Sequence, residues 1–317
     1  MAIDPHAKAL IDLLTSGTPR LESLDPQEAR RMSDERRARA QASPEPVAEI
    51  SELQMAGPGS PLRLRLYRPR TGEPLPVIIF FHGGGWVIGG LDAHDPLCRL
   101  MANATGAVVV SVDFRLAPEN PFPAAVEDSI AATTWVVDHA ADIGVDPSRV
   151  AVAGDSSGAN LATVVAQQVR LRGPQLAFQL LVYPVTDCDF TTPSYRENGE
   201  GFYVTVDTMR WFWGHYLTDQ SDADDPRASP LRAPDLRGMP PALIITAEHD
   251  PLRDEGEEYG RRLAAAGVPT TVSRYDGMFH GFFSLGTALP AGARANEEAW
   301  AALRRAFNRE TSIDARS

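Results

Sequence analysis

The chain has 317 residues, enough for one large α/β domain with insertions or two smaller ones, and 43% of them are hydrophobic, so a sizeable core is available. A formal net charge of −12 argues against a nucleic-acid footprint or an anionic-membrane surface. Cys98 and Cys188 stand in no metal-ligand spacing, which argues against a zinc site and reads as two free thiols. The first residues lack the basic stretch and apolar run of a secretory signal, and no stretch reaches the roughly 18 apolar residues that span a bilayer, so a cytoplasmic protein with no membrane association is expected.

Residues 1–45 read as polar helices. Ala7, Leu10, Ile11 and Leu14 recur at helical spacing, and 26–42 is rich in Arg, Glu and Ala. A solvated helix docked on the surface and half of a lid both fit, the former slightly better. Residues 62–67 alternate apolar and basic side chains, as a half-buried edge strand does. Residues 76–81 form a continuous apolar run typical of a buried parallel strand, and it runs straight into His82, Gly83, Gly84, Gly85 and Trp86. Three glycines after a strand end expose backbone N–H groups with no side chains in the way, so such a loop can aim two donors at a developing oxyanion. His82 sits on that loop and is read as pinning it through a hydrogen bond.

The next buried strand is 106–112, followed by a proline-marked loop, a helix over 124–140 and a turn at 146–148. A strand over 149–153 then enters Gly154, Asp155, Ser156, Ser157 and Gly158, with a helix over 159–171 stopped by Gly173 and Pro174. This is G-x-S-x-G in the strand–turn–helix context that gives the pattern meaning: a serine at the apex of a tight turn above a sheet edge. After a strand over 176–182 the alternation is lost between 187 and 240. That insertion carries Phe202, Tyr203, Trp211, Phe212, Trp213 and Tyr216, then Asp219, Asp222, Asp224 and Asp225. Ordinary packing and a lid over an acyl pocket need the same aromatics, in equal measure. The acidic run lacks a calcium-loop pattern and reads as a solvated loop. A strand over 241–247, a helix over 255–266, a last strand over 270–275 and a helix over 293–309 complete the chain, with a polar, frayed tail to 317.

Strands alternating with helices give a doubly wound sheet whose active loops lie at the carboxyl ends of strands. A serine hydroxyl needs an adjacent base, and that base needs a carboxylate to fix its tautomer. His6, His94, His139 and His215 fall in helices or the insertion. His249 abuts Asp250, whereas His280 follows the last strand on a glycine-flanked loop free to reach Ser156. The chain order Ser156, Asp250, His280 fits this architecture. Asp254 and Glu255 are rival acids, both at a helix start where an acidic residue commonly compensates the dipole.

Residues 154–160 and 82–85, with Asp113, Phe114, Arg115, Leu116, Ala117, Pro118 and Glu119, Asp250 to Asp254, and His280, Gly281 and Phe282, resemble the bacterial hormone-sensitive-lipase-like carboxylesterases over nearly the whole chain. The resemblance implies the α/β-hydrolase fold: a mostly parallel eight-stranded sheet flanked by helices, with a helical cap. The cap would comprise N-terminal helices at 1–45 and an insertion at 187–240, and the catalytic domain 46–186 and 241–317. It implies Ser156 as nucleophile, His280 as base, Asp250 as orienting acid, and Gly83, Gly84 and the N–H of Ser157 as the oxyanion hole. Trp86, Asp155, Tyr183, Phe202, Trp211, Phe212, Phe279 and Phe282 are placed at the substrate pocket. No cofactor or metal is implied; the partner is a small-molecule ester, and a homodimer through the last strand's edge is implied. The family more often has alanine at the position of Ser157, whose hydroxyl is read as adding no chemistry, and tyrosine at that of Phe114. Short- to medium-chain ester hydrolysis leads, with amide or peptide hydrolysis by the same triad, or a non-catalytic binding protein on this fold, as rivals.

Overall fold

The computed structural model describes residues 2–40 and 44–308; the ends of two expected helices, at Ala42 and Arg309, and the expected frayed tail lie outside them. The strands are β1 (Glu49–Met55), β2 (Leu62–Arg68), β3 (Leu75–Phe81), β4 (Val108–Asp113), β5 (Val145–Asp155), β6 (Phe178–Val182), β7 (Ala242–His249) and β8 (Thr270–Phe279). They form one sheet in the order β1-β2-β4-β3-β5-β6-β7-β8. The β1–β2 and β2–β4 pairs are antiparallel and all others parallel. The helices are α1 (Pro5–Thr15), α2 (Pro26–Ala40), α3 (Asp95–Thr105), α4 (Ala124–Asp138), α5 (Ser157–Val169), α6 (Pro193–Asn198), α7 (Val206–Tyr216), α8 (Arg253–Ala265) and α9 (Pro290–Phe307).

Strand pleating divides the apolar residues between two cores. Ile78, Phe80, Ala151, Ala153, Leu180 and Ile245 pack with α3, α9 and Ile11 of α1. Val77, Ile79, Phe81, Val150, Val152 and Ile244 pack with α4, α5 and α8. Every residue of β3 is buried, because helices cover both of its faces. The second core also takes in Met209 and the aromatics Tyr195, Phe212, Trp213 and Tyr216, so half of the eight aromatics of the 187–240 segment pack as core.

Three strands depart most from the sequence reading. β5 begins at Val145, so the expected turn at 146–148 lies inside the strand, next to the register shift against β3. β2 is interior rather than an edge, because the polar β1 pairs along its whole length in antiparallel register. β8 runs four residues beyond the expected Tyr275, to Phe279, with a register shift against β7 between Ala247 and His249. Among the described residues, no helix is long and apolar enough to cross a membrane.

Candidate active site

Ser156 joins β5 to α5 with φ 56° and ψ −121°, a backbone conformation costly for a residue with a side chain. The glycines on either side are steric requirements of that turn. A Cβ on Gly154 would lie 2.3 Å from Gly158 O, and one on Gly158 would lie 2.0 Å from Phe81 O. The helix after the serine begins at Ser157, two residues earlier than the sequence pattern indicated, so its N-terminus abuts the hydroxyl.

Ser156 Oγ is 3.0 Å from His280 Nε2, and His280 Nδ1 is 2.7 Å from Asp250 Oδ2. Asp250 is fully buried at the end of β7, and its Oδ1 accepts from Leu252 N at 2.9 Å. That leaves the carboxylate one free direction, towards the imidazole. The rival acids are engaged elsewhere. Asp254 accepts from Ser194 N at 2.7 Å and from Arg253 Nε at 2.9 Å. Glu255 Oε1 accepts from Thr186 N at 2.7 Å, and burial raises that carboxyl well above its ordinary range. His249 stacks on Phe202, with ring centres 4.7 Å apart, and burial lowers its pKa.

The glycine loop corrects one assignment. Gly83 N donates to Asp155 Oδ1 at 2.8 Å, so this N–H cannot also face an oxyanion. Gly84, Gly85 and Trp86 follow with φ of 124°, 59° and 60°, a left-handed run that turns successive N–H groups into one concavity. Trp86 N donates to the Ser157 hydroxyl at 3.3 Å. Among the described residues, the N–H groups of Gly84 and Gly85 donate to no protein acceptor. Ser157 N stands at the first position of α5, where the helix offers it no partner. The Ser157 hydroxyl, read from sequence as adding no chemistry, thus braces the loop.

Asp155, expected at the substrate pocket, is instead buried behind the loop. Its carboxylate also lies 3.2 Å from His94 Nε2. Burial raises the Asp155 pKa, but the charge and hydrogen bond of His94, the Gly83 N–H and the charge of His82 outweigh that and hold it below the usual carboxylate range. His94, set aside on sequence as remote from strand ends, is a buried part of this support. His82 Nδ1 lies 2.8 Å from Gly83 O, as a pinning role needs, and its ring stacks on Phe114 at 4.3 Å.

Four more residues expected at the pocket are enclosed by protein. Trp86 is sandwiched between Tyr216, stacked at 4.0 Å, and Trp213 at 4.7 Å. Tyr183 packs on the His280 ring at 4.4 Å, Phe282 lies behind Tyr183 at 6.1 Å, and Phe279 is fully buried in the α3/α9 core. These four back the site and contribute little open surface. Phe202 and Trp211 are half-buried, and Phe212 presses on the glycine loop: a Cβ on Gly85 would lie 2.1 Å from its ring.

A family model described as the alpha/beta hydrolase fold matches residues 78–284. The chain is 45% identical over 269 residues to the carboxylesterase NlhH of Mycobacterium tuberculosis, covering 83% of this chain and 84% of that protein. It is 36% identical over 302 residues to an ethyl acetate hydrolase of Pseudomonas putida, covering 91% and 94%. Among solved structures, a thermostable esterase from Pseudomonas putida superposes with a TM-score of 0.93 at 41% identity, covering 98% of this chain and 99% of that one.

Proposed function

The chain belongs to the hormone-sensitive-lipase-like carboxylesterases of the alpha/beta hydrolase fold, and from that membership we infer that it hydrolyses short- to medium-chain carboxylic esters through Ser156, His280 and Asp250. It is a carboxylic ester hydrolase. The observation that carries the residue assignment is the continuous relay from Ser156 Oγ through His280 to Asp250, at 3.0 and 2.7 Å.

Ser156 Oγ attacks the ester carbonyl as His280 Nε2 takes its proton. Asp250 holds the imidazole in the tautomer that leaves Nε2 free to accept, and stabilises the imidazolium that forms. The carbonyl electrons move onto oxygen, and the N–H groups of Gly84, Gly85 and Ser157 hold that oxyanion; each such donor is worth about 10²–10³ in rate. The tetrahedral species collapses, His280 protonates the departing alcohol, and the acyl group stays on Ser156. Water then attacks the acyl carbon as His280 Nε2 takes its proton, and the second tetrahedral species breaks its bond to Ser156 Oγ, which takes that proton back from His280 as the acid leaves.

The N-terminal helices and the 187–240 segment together form a cap over this centre. The two segments are joined by a hydrogen bond from Thr208 Oγ1 to Glu22 Oε2 at 3.0 Å and by an ion pair between Arg20 and Glu200 at 3.2 Å. Residues 46–186 and 241–317 are the catalytic domain. The protein works in the cytoplasm, as a homodimer through the free edge of β8, where Val272 is 40% exposed. Light scattering would read the dimer, and charge substitution at Val272 would split it.

The experiment for the activity is an acyl-length series of p-nitrophenyl esters with wild type and Ser156→Ala. Turnover should be greatest at acyl chains of about two to eight carbons and fall by about 10⁴ or more in the variant. A preference for chains beyond ten carbons would point to a lipase instead.

A further inference from the structure

Arg30 of α2 makes a set of contacts that the reaction as described does not use. Its Nε donates to Val87 O at 2.8 Å, and its Nη2 donates to Ala117 O at 2.8 Å. Both Nη atoms also grip the Glu119 carboxylate, at 2.8 and 2.6 Å. The two carbonyls belong to one small unit. Ala117 N donates to Trp86 O, and both Val87 N and Ile88 N donate to Gly84 O, so the stretch from Gly84 to Ile88 is a closed turn strapped to the loop around Ala117. Among the described residues the guanidinium is the only group that bonds to Val87 O, and it ties the far end of the glycine turn to the strap.

The position of α2 itself also depends on this residue. Among its described side chains only Ala29 and Ser33 are buried. A helix with so small an apolar contact gains little from burial and needs directional bonds to hold its place. A planar fork with several fixed donors can serve two carbonyls and one carboxylate at once, which a lysine ammonium cannot reproduce.

We propose that Arg30 is a positioning residue for catalysis: it couples α2 to the glycine turn and so fixes where the N–H groups of Gly84 and Gly85 point. The proposal rests on the reading of those two groups as oxyanion donors. Small displacements of such donors cost rate without costing ground-state binding, because the oxyanion exists only after attack.

The test compares wild type, Arg30→Met and Arg30→Lys, with active sites counted by phosphonate titration and folding checked by thermal melting. With p-nitrophenyl butyrate, kcat per titrated site should fall about 10-fold in Arg30→Met with KM within about twofold, and less in Arg30→Lys. A trifluoromethyl ketone, which adds to the serine and places its oxyanion in the hole, should lose affinity by the same factor as kcat. If Arg30 only fastens a surface helix, melting temperature falls while kcat per site stays at the wild-type value; that result overturns the proposal. Should Arg30→Met fail to fold, an unchanged kcat and ketone affinity in Arg30→Lys would overturn it equally. The ketone also separates the role of Ser156 from that of Arg30. Affinity unaffected by Ser156→Ala would overturn Ser156 as the nucleophile, and the proposed function and the clamp with it. Affinity lost in Ser156→Ala but kept in the Arg30 variants would overturn the clamp alone.

Discussion

The backbone N–H of Gly83 donates to Asp155 Oδ1 at 2.8 Å, which makes the first glycine of the loop an anchor, while its two successors have no protein acceptor among the described residues. The residue before Ser156 therefore supports the glycine loop across two strand ends. Asp155→Asn keeps an acceptor but removes the charge facing His94 at 3.2 Å. We expect kcat to fall by about 10-fold or more with KM little changed, because one anchored donor loop loosens. Steady-state kinetics on p-nitrophenyl butyrate decide it.

Asp250→Asn and Asp254→Asn should differ sharply. The first removes the carboxylate that lies 2.7 Å from His280 Nδ1 and should cost about 10³–10⁴ in kcat. The second loosens contacts to Ser194 and Arg253, remote from the imidazole, and should stay within about threefold. Equal losses would break the acid assignment.

Gly84→Ala should be more damaging than its size indicates. Its φ is 124°, and a Cβ there would lie 2.1 Å from Ile88 O, a backbone atom that cannot swing aside. Loss of most activity and a lower melting temperature are both expected, since the turn must open to admit the methyl group.

The fold and the meeting of Ser156, Asp250 and His280 were legible in the sequence because each depends on local grammar: an apolar strand, then glycines that a side chain would block, as at Gly154 and Gly158. What was not legible depends on partners distant in sequence. Which glycine N–H is free is decided by Asp155, 72 residues on. The support from His94 has no signature in sequence, because a histidine at the start of α3 looks the same whether it faces solvent or a buried carboxylate. The interior place of β2 follows from its pairing with β1, which no local pattern within β2 reveals. The aromatics Trp213 and Tyr216 could serve a core or a lid equally; only their stacking on Trp86 settles that they are packing.

Acid should erase one specific contribution to stability. The hydrogen bonds and charge of Arg30 hold the Glu119 carboxyl below its ordinary pKa of 4.5, against a smaller opposing effect of burial. A carboxylate with a depressed folded pKa stabilises the fold above its unfolded value, and that stabilisation is lost as pH falls through the folded value. Glu119→Gln should therefore lower the unfolding free energy measured by urea titration at pH 7, by no more than about 1 kcal/mol since the side chain is half exposed. The difference from wild type should shrink steadily below about pH 4.5.

The most direct measurement is covalent. A p-nitrophenyl alkylphosphonate gives its leaving group to solvent as the serine oxygen bonds to phosphorus, and the adduct mimics the tetrahedral intermediate. Peptide mass spectrometry of the inactivated protein should place one phosphonyl group on Ser156 at one equivalent per chain, with labelling lost in Ser156→Ala and slowed in His280→Ala. Stoichiometric inactivation of the wild type with the label on any other residue, or undiminished labelling of Ser156→Ala, would contradict the account.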